Sequence, residues 1–178
     1  RALPHTYLHQ GGDSKECIDV VILAEGYRID EMDTFMDDAM IATAEILSYE
    51  PFKSHKDKFN FIAVASASTD TNVSVPQDEA WRETAVGSNF MTFYMERYLT
   101  SGEDYAMYDL ATNIPCEHFI ILANTATYGG GGIYNSYTLT TAHHPAFRPV
   151  VVHEFGHSFG GLGDEYFYEG NLDNDEMH

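Results

Sequence analysis

His153 and His157 stand four residues apart, with Glu154 beside the first, in the run VVHEFGHSFGGLGDEY from Val151 to Tyr166. On a helix, such a pair projects from one face about one turn apart, close enough to share one metal ion. A carboxylate beside the first ligand is placed to take a proton from metal-bound water, the general-base role of a zinc hydrolase. Two histidines do not complete a site. The helix must break after His157 so that the chain can return with a third ligand, and Gly160 and Gly161 permit that turn at little steric cost. Asp164 is the expected third ligand and Glu165 its competitor. A His-Glu-x-x-His pattern also occurs in helices that bind nothing. Here apolar Val150, Val151, Val152 and Phe155, the double glycine and the Asp-Glu-Tyr that follows favour a zinc site.

These residues need a rigid frame, and the apolar runs supply one. Ile18 to Ala24 is nearly continuous in apolar residues, the mark of a strand buried on both faces. It leads into Glu25, Gly26 and Tyr27, a strand-to-helix loop whose tyrosine is expected in the core; such loops border ligand sites in open α/β sheets. Asp30 is placed to cap a helix whose apolar positions recur from Met32 to Leu47 and which stops before Pro51. Its methionines serve as core filler. Phe59 to Ala65 reads as a second buried strand, and strand, helix, strand implies a right-handed crossover and a parallel pair. Phe119 to Ala123 is a third. Pro145 or Pro149 can start the helix that carries His153.

The connecting segments are less informative. Residues 1 to 16 are polar and read as an arm or hairpin remnant ahead of a domain over 17–178. Ser66 to Ser88 reads as a long surface loop, with Trp81 as its anchor or as the lining of a substrate cleft, the anchor being preferred. Asn89 to Leu99 has helical periodicity, and 103 to 113 suits a short helix. Gly129 to Gly132 lack the Lys-Ser/Thr pair and helix start of a phosphate-binding loop and suit a rim beside a cleft. Ile133 to Thr141 alternates imperfectly, as an exposed edge strand does. His143 and His144 lie in a loop beside Pro145 and read as solvent-exposed. Cys17 and Cys116 head two strands; they are either paired in an oxidising compartment or two ordinary buried thiols.

The net charge of −19, from 9 basic and 28 acidic residues, argues against nucleic acid or an anionic membrane surface as partner, since both would be repelled. No apolar run is long enough to span a bilayer, and Arg1 is not a natural start, so any signal peptide or lipidated tail is expected outside this chain.

The run YGGGGIYNSY, a spacer and then HEFGHSFGGLGDEY resembles the immunoglobulin-A peptidase family of zinc metallopeptidases, number 64 in the usual peptidase classification. VVILAEGY and FNFIAVASAS are similar to that family's early segments in the same order. The likeness runs from about Asp19 to Tyr168 and is strongest over 128 to 166. Glu25 departs from it, standing where an Asp is expected. The spacing of Gly161 and Asp164 also resembles the metzincin pattern, with one extra residue between His157 and the glycine and Gly163 where a strict metzincin has its ligand. The resemblance implies a three-layer α/β domain with a mixed, mostly parallel twisted sheet, an antiparallel edge strand and an active-site helix. It implies an edge that binds substrate main chain as an added strand, for which Gly130, Gly131, Gly132, Ile133, Tyr134 and Asn135 are the candidates. It also implies a lower subdomain with a methionine turn beneath the metal. Only Met177 lies downstream here, so that part is expected to be truncated or missing from this chain.

The resulting expectation is a zinc endopeptidase, secreted, periplasmic or attached to the cell surface, acting on a protein or a glycoprotein such as immunoglobulin A. His153, His157 and Asp164 bind zinc, Glu154 is the general base, and Tyr166 or Tyr168 either donates to the developing oxyanion or simply packs. The rival expectation is a zinc-stapled binding module of a surface glycan- or protein-capturing system, against which the intact Glu154 argues. A third, hydrolysis of a non-peptide amide, uses the same residues.

Overall fold

The computed structural model describes residues 3–74, 81–89, 100–101, 104–127, 130–133 and 137–163. Among the described residues eight strands and three α-helices follow in chain order: β1 (His5–Gln10), β2 (Ile18–Glu25), α1 (Met32–Ile46), β3 (Phe59–Val64), β4 (Ser88–Asn89), β5 (Thr100–Ser101), α2 (Asp104–Leu110), β6 (His118–Ala123), β7 (Gly130–Ile133), β8 (Tyr137–Thr141) and α3 (Phe147–Gly160). Six of the strands form one sheet in the order β1-β3-β2-β6-β8-β7, and β4 pairs with β5 separately. β3, β2, β6 and β8 run parallel, while β1 and β7 are antiparallel to their neighbours at the two edges.

The period-2 geometry of the central strands divides the core in two. Val20, Ile22 and Ala24 of β2 face α1 and α3 together with Phe61 and Ile120. Val21 and Leu23 face the other side, with Met107 of α2 and Val73 and Val86 of the long connection. The result is a three-layer α/β domain with a mixed sheet buried on both faces. No helix among the described residues is long and apolar enough to cross a membrane.

Several local expectations change. The polar segment 1 to 16 contributes β1, hydrogen-bonded along β3, so it belongs to the sheet. Ser88 and Asn89 form a strand, and the helix expected over 89 to 99 otherwise falls outside the described residues. Asp30 does not cap α1: it lies in a 3-10 turn and pairs with Arg28 at 3.3 Å, while the Glu31 carboxylate accepts from the Arg28 N–H at 2.8 Å and the Thr71 hydroxyl at 3.0 Å. Trp81 is 72 % exposed, so it does not anchor the loop through burial. Cys17 and Cys116 are free thiols that donate weakly to the carbonyls of Asp57 and His118. Burial pushes Cys116 up to about 12 and Cys17 upward as well, so both stay protonated.

The single edge strand expected over 133 to 141 is two strands. β8 lies inside the sheet with all five residues buried, and β7 is the edge. The alternation misleads because Thr138 and Thr140, which read as solvent positions, are buried too. Glycine carries no side-chain signal for a strand, yet its backbone pairs like any other, so Gly130 to Gly132 form the edge opposite Thr140 to Thr138.

The loop after β2 clamps the carboxyl ends of the parallel strands. The buried Glu25 carboxylate accepts from the N–H groups of Val86 and Ser88, each at 2.8 Å, and from the Ser88 hydroxyl at 2.7 Å. The Gly26 carbonyl accepts from the Asn72 N–H and the Asn124 side chain, each at 2.9 Å. The Tyr27 hydroxyl is fully buried and donates to Asp38 of α1 at 2.7 Å. Burial, reinforced by that carboxylate, pushes the hydroxyl far above its usual range, which keeps it a donor. Gly26 has φ +69°, and a Cβ there would meet the Asn72 carbonyl oxygen at 2.4 Å. Gly26→Ala is therefore expected to lower stability by about 2–3 kcal/mol, from left-handed backbone strain plus steric displacement of the 68–74 segment. A urea unfolding midpoint within error of the wild type would contradict this.

Candidate active site

α3 forms where an apolar stripe begins. Phe147, Val151 and Phe155 recur at four-residue intervals and are buried against the sheet, with Ser158 continuing the face. Pro149 falls in the first turn, where its missing N–H costs nothing. Phe155 packs between Phe52 at 5.1 Å, Phe61 at 6.4 Å and Phe159, whose ring it stacks at 5.1 Å. Arg148 reaches Glu45 of α1 at 3.7 Å. The aromatic contacts fix the rotation of the helix about its axis. His153 and His157, two positions on from Val151 and Phe155, must then point away from the core.

The two imidazoles converge. Their Nε2 atoms lie 2.9 Å apart and their ring centroids 4.3 Å apart, at 89°. α3 stops at Gly161, whose φ of 64° and ψ of 26° are left-handed, and the Gly161 and Leu162 N–H groups return to the carbonyls of His157 and Gly156. This turn carries the Leu162 carbonyl to His157 Nδ1, 2.5 Å away. A carbonyl can only accept, so Nδ1 bears the proton and Nε2 presents its lone pair towards His153, the tautomer a metal-binding imidazole needs. Of the two glycines expected to break the helix, Gly161 takes the left-handed conformation.

The spacing of the pair is close to what one zinc ion would need. Two nitrogens bound at ~2.0–2.1 Å to one tetrahedral ion sit about 3.3–3.4 Å apart, so opening the observed gap by roughly 0.4–0.5 Å admits it. Glu154 lies on the same helix, half-buried beside His153. Among the described residues no group of three His, Cys, Asp or Glu side chains is placed to hold a metal. Asp164, Glu165, Tyr166 and Tyr168 lie outside the described residues, as do Tyr134 and Asn135. Gly130 to Ile133 form β7, which packs with β8 against α3.

Other residues take places that spacing alone does not show. His143 is exposed, as its loop position suggests, yet its Nε2 lies 2.8 Å from Asp38, which also holds Tyr27, and its ring stands edge-on to Tyr27. His144 Nδ1 accepts from the Ala146 N–H at 3.1 Å, shaping the turn into α3. The pair thus ties the start of the helix to α1 and β2. At the other end, buried His118 of β6 reaches Ser158 of α3 at 3.0 Å, and Thr138 of β8 completes a three-residue cluster with the same hydroxyl. Val20 of β2 pairs with His118 and Glu25 with Ala123. The Glu25 end of β2 and the His118–Ser158 contact therefore lie at opposite ends of β6, about 17 Å apart along the strand. The missed signal was a histidine heading the apolar run HFIILA, together with a serine in the buried phase of α3.

The family model described as IgA peptidase M64 matches residues 6–177, nearly the whole chain. No curated protein matches the chain.

Burial holds the His118 imidazole down at about 4, against an ordinary 6.5, so it is neutral at pH 7. An unfolded chain takes up this proton below pH 6.5 and the folded chain only near 4, so native stability falls as the pH drops through that window. The wild type is expected to lose about 2 kcal/mol more than His118→Phe between pH 7 and pH 5, measured by denaturant unfolding of the metal-free proteins. Equal losses in the two proteins would show that His118 is not held neutral by the fold.

Proposed function

Because the chain belongs to the IgA peptidase M64 family, and is on that ground a peptidase, we propose that it is a zinc-dependent endopeptidase cutting extracellular proteins or glycoproteins. The observation that carries the zinc reading is the convergence of His153 and His157 Nε2, with His157 Nδ1 fixed on the Leu162 carbonyl. Asp164 is the proposed third protein ligand, with Glu165 the competitor. Zinc bound there supplies a Lewis acid that polarises the scissile carbonyl and makes water a nucleophile near neutral pH.

The chain's own residues supply the rest. Glu154 accepts the proton of the attacking water and delivers it to the departing amine, so one carboxylate serves as base and then acid. β7 closes the sheet on the side packed against α3. The substrate main chain is proposed to lie along Gly130, Gly131, Gly132 and Ile133, continuing past Tyr134 and Asn135, and to hydrogen-bond as an added strand. Tyr166 is the proposed donor to the oxygen on which charge develops. Immunoglobulin A enters through the family's name, and a secreted, periplasmic or surface location follows from such a substrate.

The test is cleavage of a panel of extracellular proteins, immunoglobulin A among them, by zinc-loaded wild type and Glu154→Gln. Glu154→Gln is expected to keep its zinc and lose about 10²–10⁴-fold in kcat/KM, the range for removing a general base. A chelator should abolish wild-type cleavage and zinc should restore it. Undiminished cleavage by the variant would remove Glu154 from the chemistry. No cleavage by folded, zinc-loaded wild type would instead favour a zinc-stapled binding module.

A further inference from the structure

The buried face of α3 is apolar from Phe147 through Phe155 and turns polar only at its last turn. There Ser158 is fully buried, and it meets His118 from β6 and Thr138 from β8, themselves buried. Phe155 and Phe159 wall this cluster, standing edge-on to the His118 ring at 5.4 and 5.8 Å. Placing three polar side chains in an aromatic core is costly unless they satisfy one another. An apolar face of the same volume would hold the helix against the sheet just as well.

What hydrogen bonds add is direction. Stacked aromatic rings tolerate a small slide or rotation of the helix, whereas a hydroxyl bonded to residues on two strands does not. The position matters because His157 sits in the same last turn, next to Ser158. Phe159 and Gly160 follow within the helix before the left-handed Gly161; Phe159 stacks on Phe155 and meets Phe52 and Phe59, contacts that still leave the turn free to slide, and a slide would carry His157 with it. We propose that His118, acting through Ser158 with Thr138, is a positioning residue that pins the last turn of α3 to β6 and β8 and so holds His157 in ligand geometry. The pin acts from inside the protein and the Leu162 carbonyl from outside. Together they fix both the backbone and the ring of one ligand. The inference rests on the zinc reading given above.

The experiment compares zinc dissociation constants, by chelator competition on the full chain, for wild type, Ser158→Ala, His118→Phe and His118→Gln, alongside kcat and KM. Ser158→Ala and His118→Phe are expected to weaken zinc binding about 10–100-fold, as loss of a partner that orients a ligand does. The double variant should lose little more than either single one, because both remove the same bond. In zinc-saturated protein kcat should fall while KM stays within about twofold, since the substrate edge is not displaced. His118→Gln, whose amide can still bond the hydroxyl, should recover zinc affinity to within a few-fold. Unchanged zinc affinity in Ser158→Ala and His118→Phe, with only their thermal stability lowered, would make the cluster a packing feature and overturn the proposal. If His118→Phe does not fold, Ser158→Ala decides alone. A wild type that binds no zinc would overturn the zinc reading and this proposal together. A wild type that binds zinc but cuts no protein leaves the affinity comparison standing as the test.

Discussion

Everything at this site depends on how α3 is rotated, and that rotation is set by Phe155. Its ring is fully buried among Phe52, Phe61, Phe159 and His118. Burying such a side chain is worth about 2–3 kcal/mol, and tight packing adds the cost of any displacement. With Phe155 and Val151 facing inward, the 3.6-residue period leaves His153 and His157 no choice but the outer face. The histidines can therefore occupy solvent-facing positions whose geometry is dictated from within the core.

Rotation alone places two histidines on a surface; the ends of the helix turn them into a site. At its start, His143 and Tyr27 share one oxygen of Asp38, joining the entry of α3 to α1 and to the clamp after β2. At its end, Gly161 reverses the chain so that Leu162 holds the His157 ring. The frame is stiff because the sheet is covered on both faces and its four central strands are parallel. The edge strand β7, built from glycines, packs on the same helix. One element thus carries the proposed metal ligands while it supports the strand proposed to hold substrate.

Much of this was legible in the chain. The buried strands showed as runs such as VVILA and FIILA, since burial on both faces removes polar alternation. The convergent histidine pair showed as spacing. What stayed hidden depends on partners distant in sequence. Thr138 and Thr140 mimic solvent positions because their hydroxyls face a helix that packs on the strand. Gly130 to Gly132 read as loop because an edge strand is held by backbone alone. His118 and His143 are commonplace histidines until β6 and α1 bring them Ser158 and Asp38. Trp81 shows the reverse error: a large aromatic in a loop suggested an anchor, yet it stands in solvent.

The central claim is that His153 and His157 bind one zinc ion through Nε2. X-ray absorption at the zinc edge on full-length protein loaded with one equivalent tests it directly. The account predicts two imidazole nitrogens at about 2.0–2.1 Å with oxygen completing the shell, and loss of bound zinc in His157→Ala. Zinc that fails to bind stoichiometrically, or that binds with sulfur or without imidazole in its shell, would contradict it.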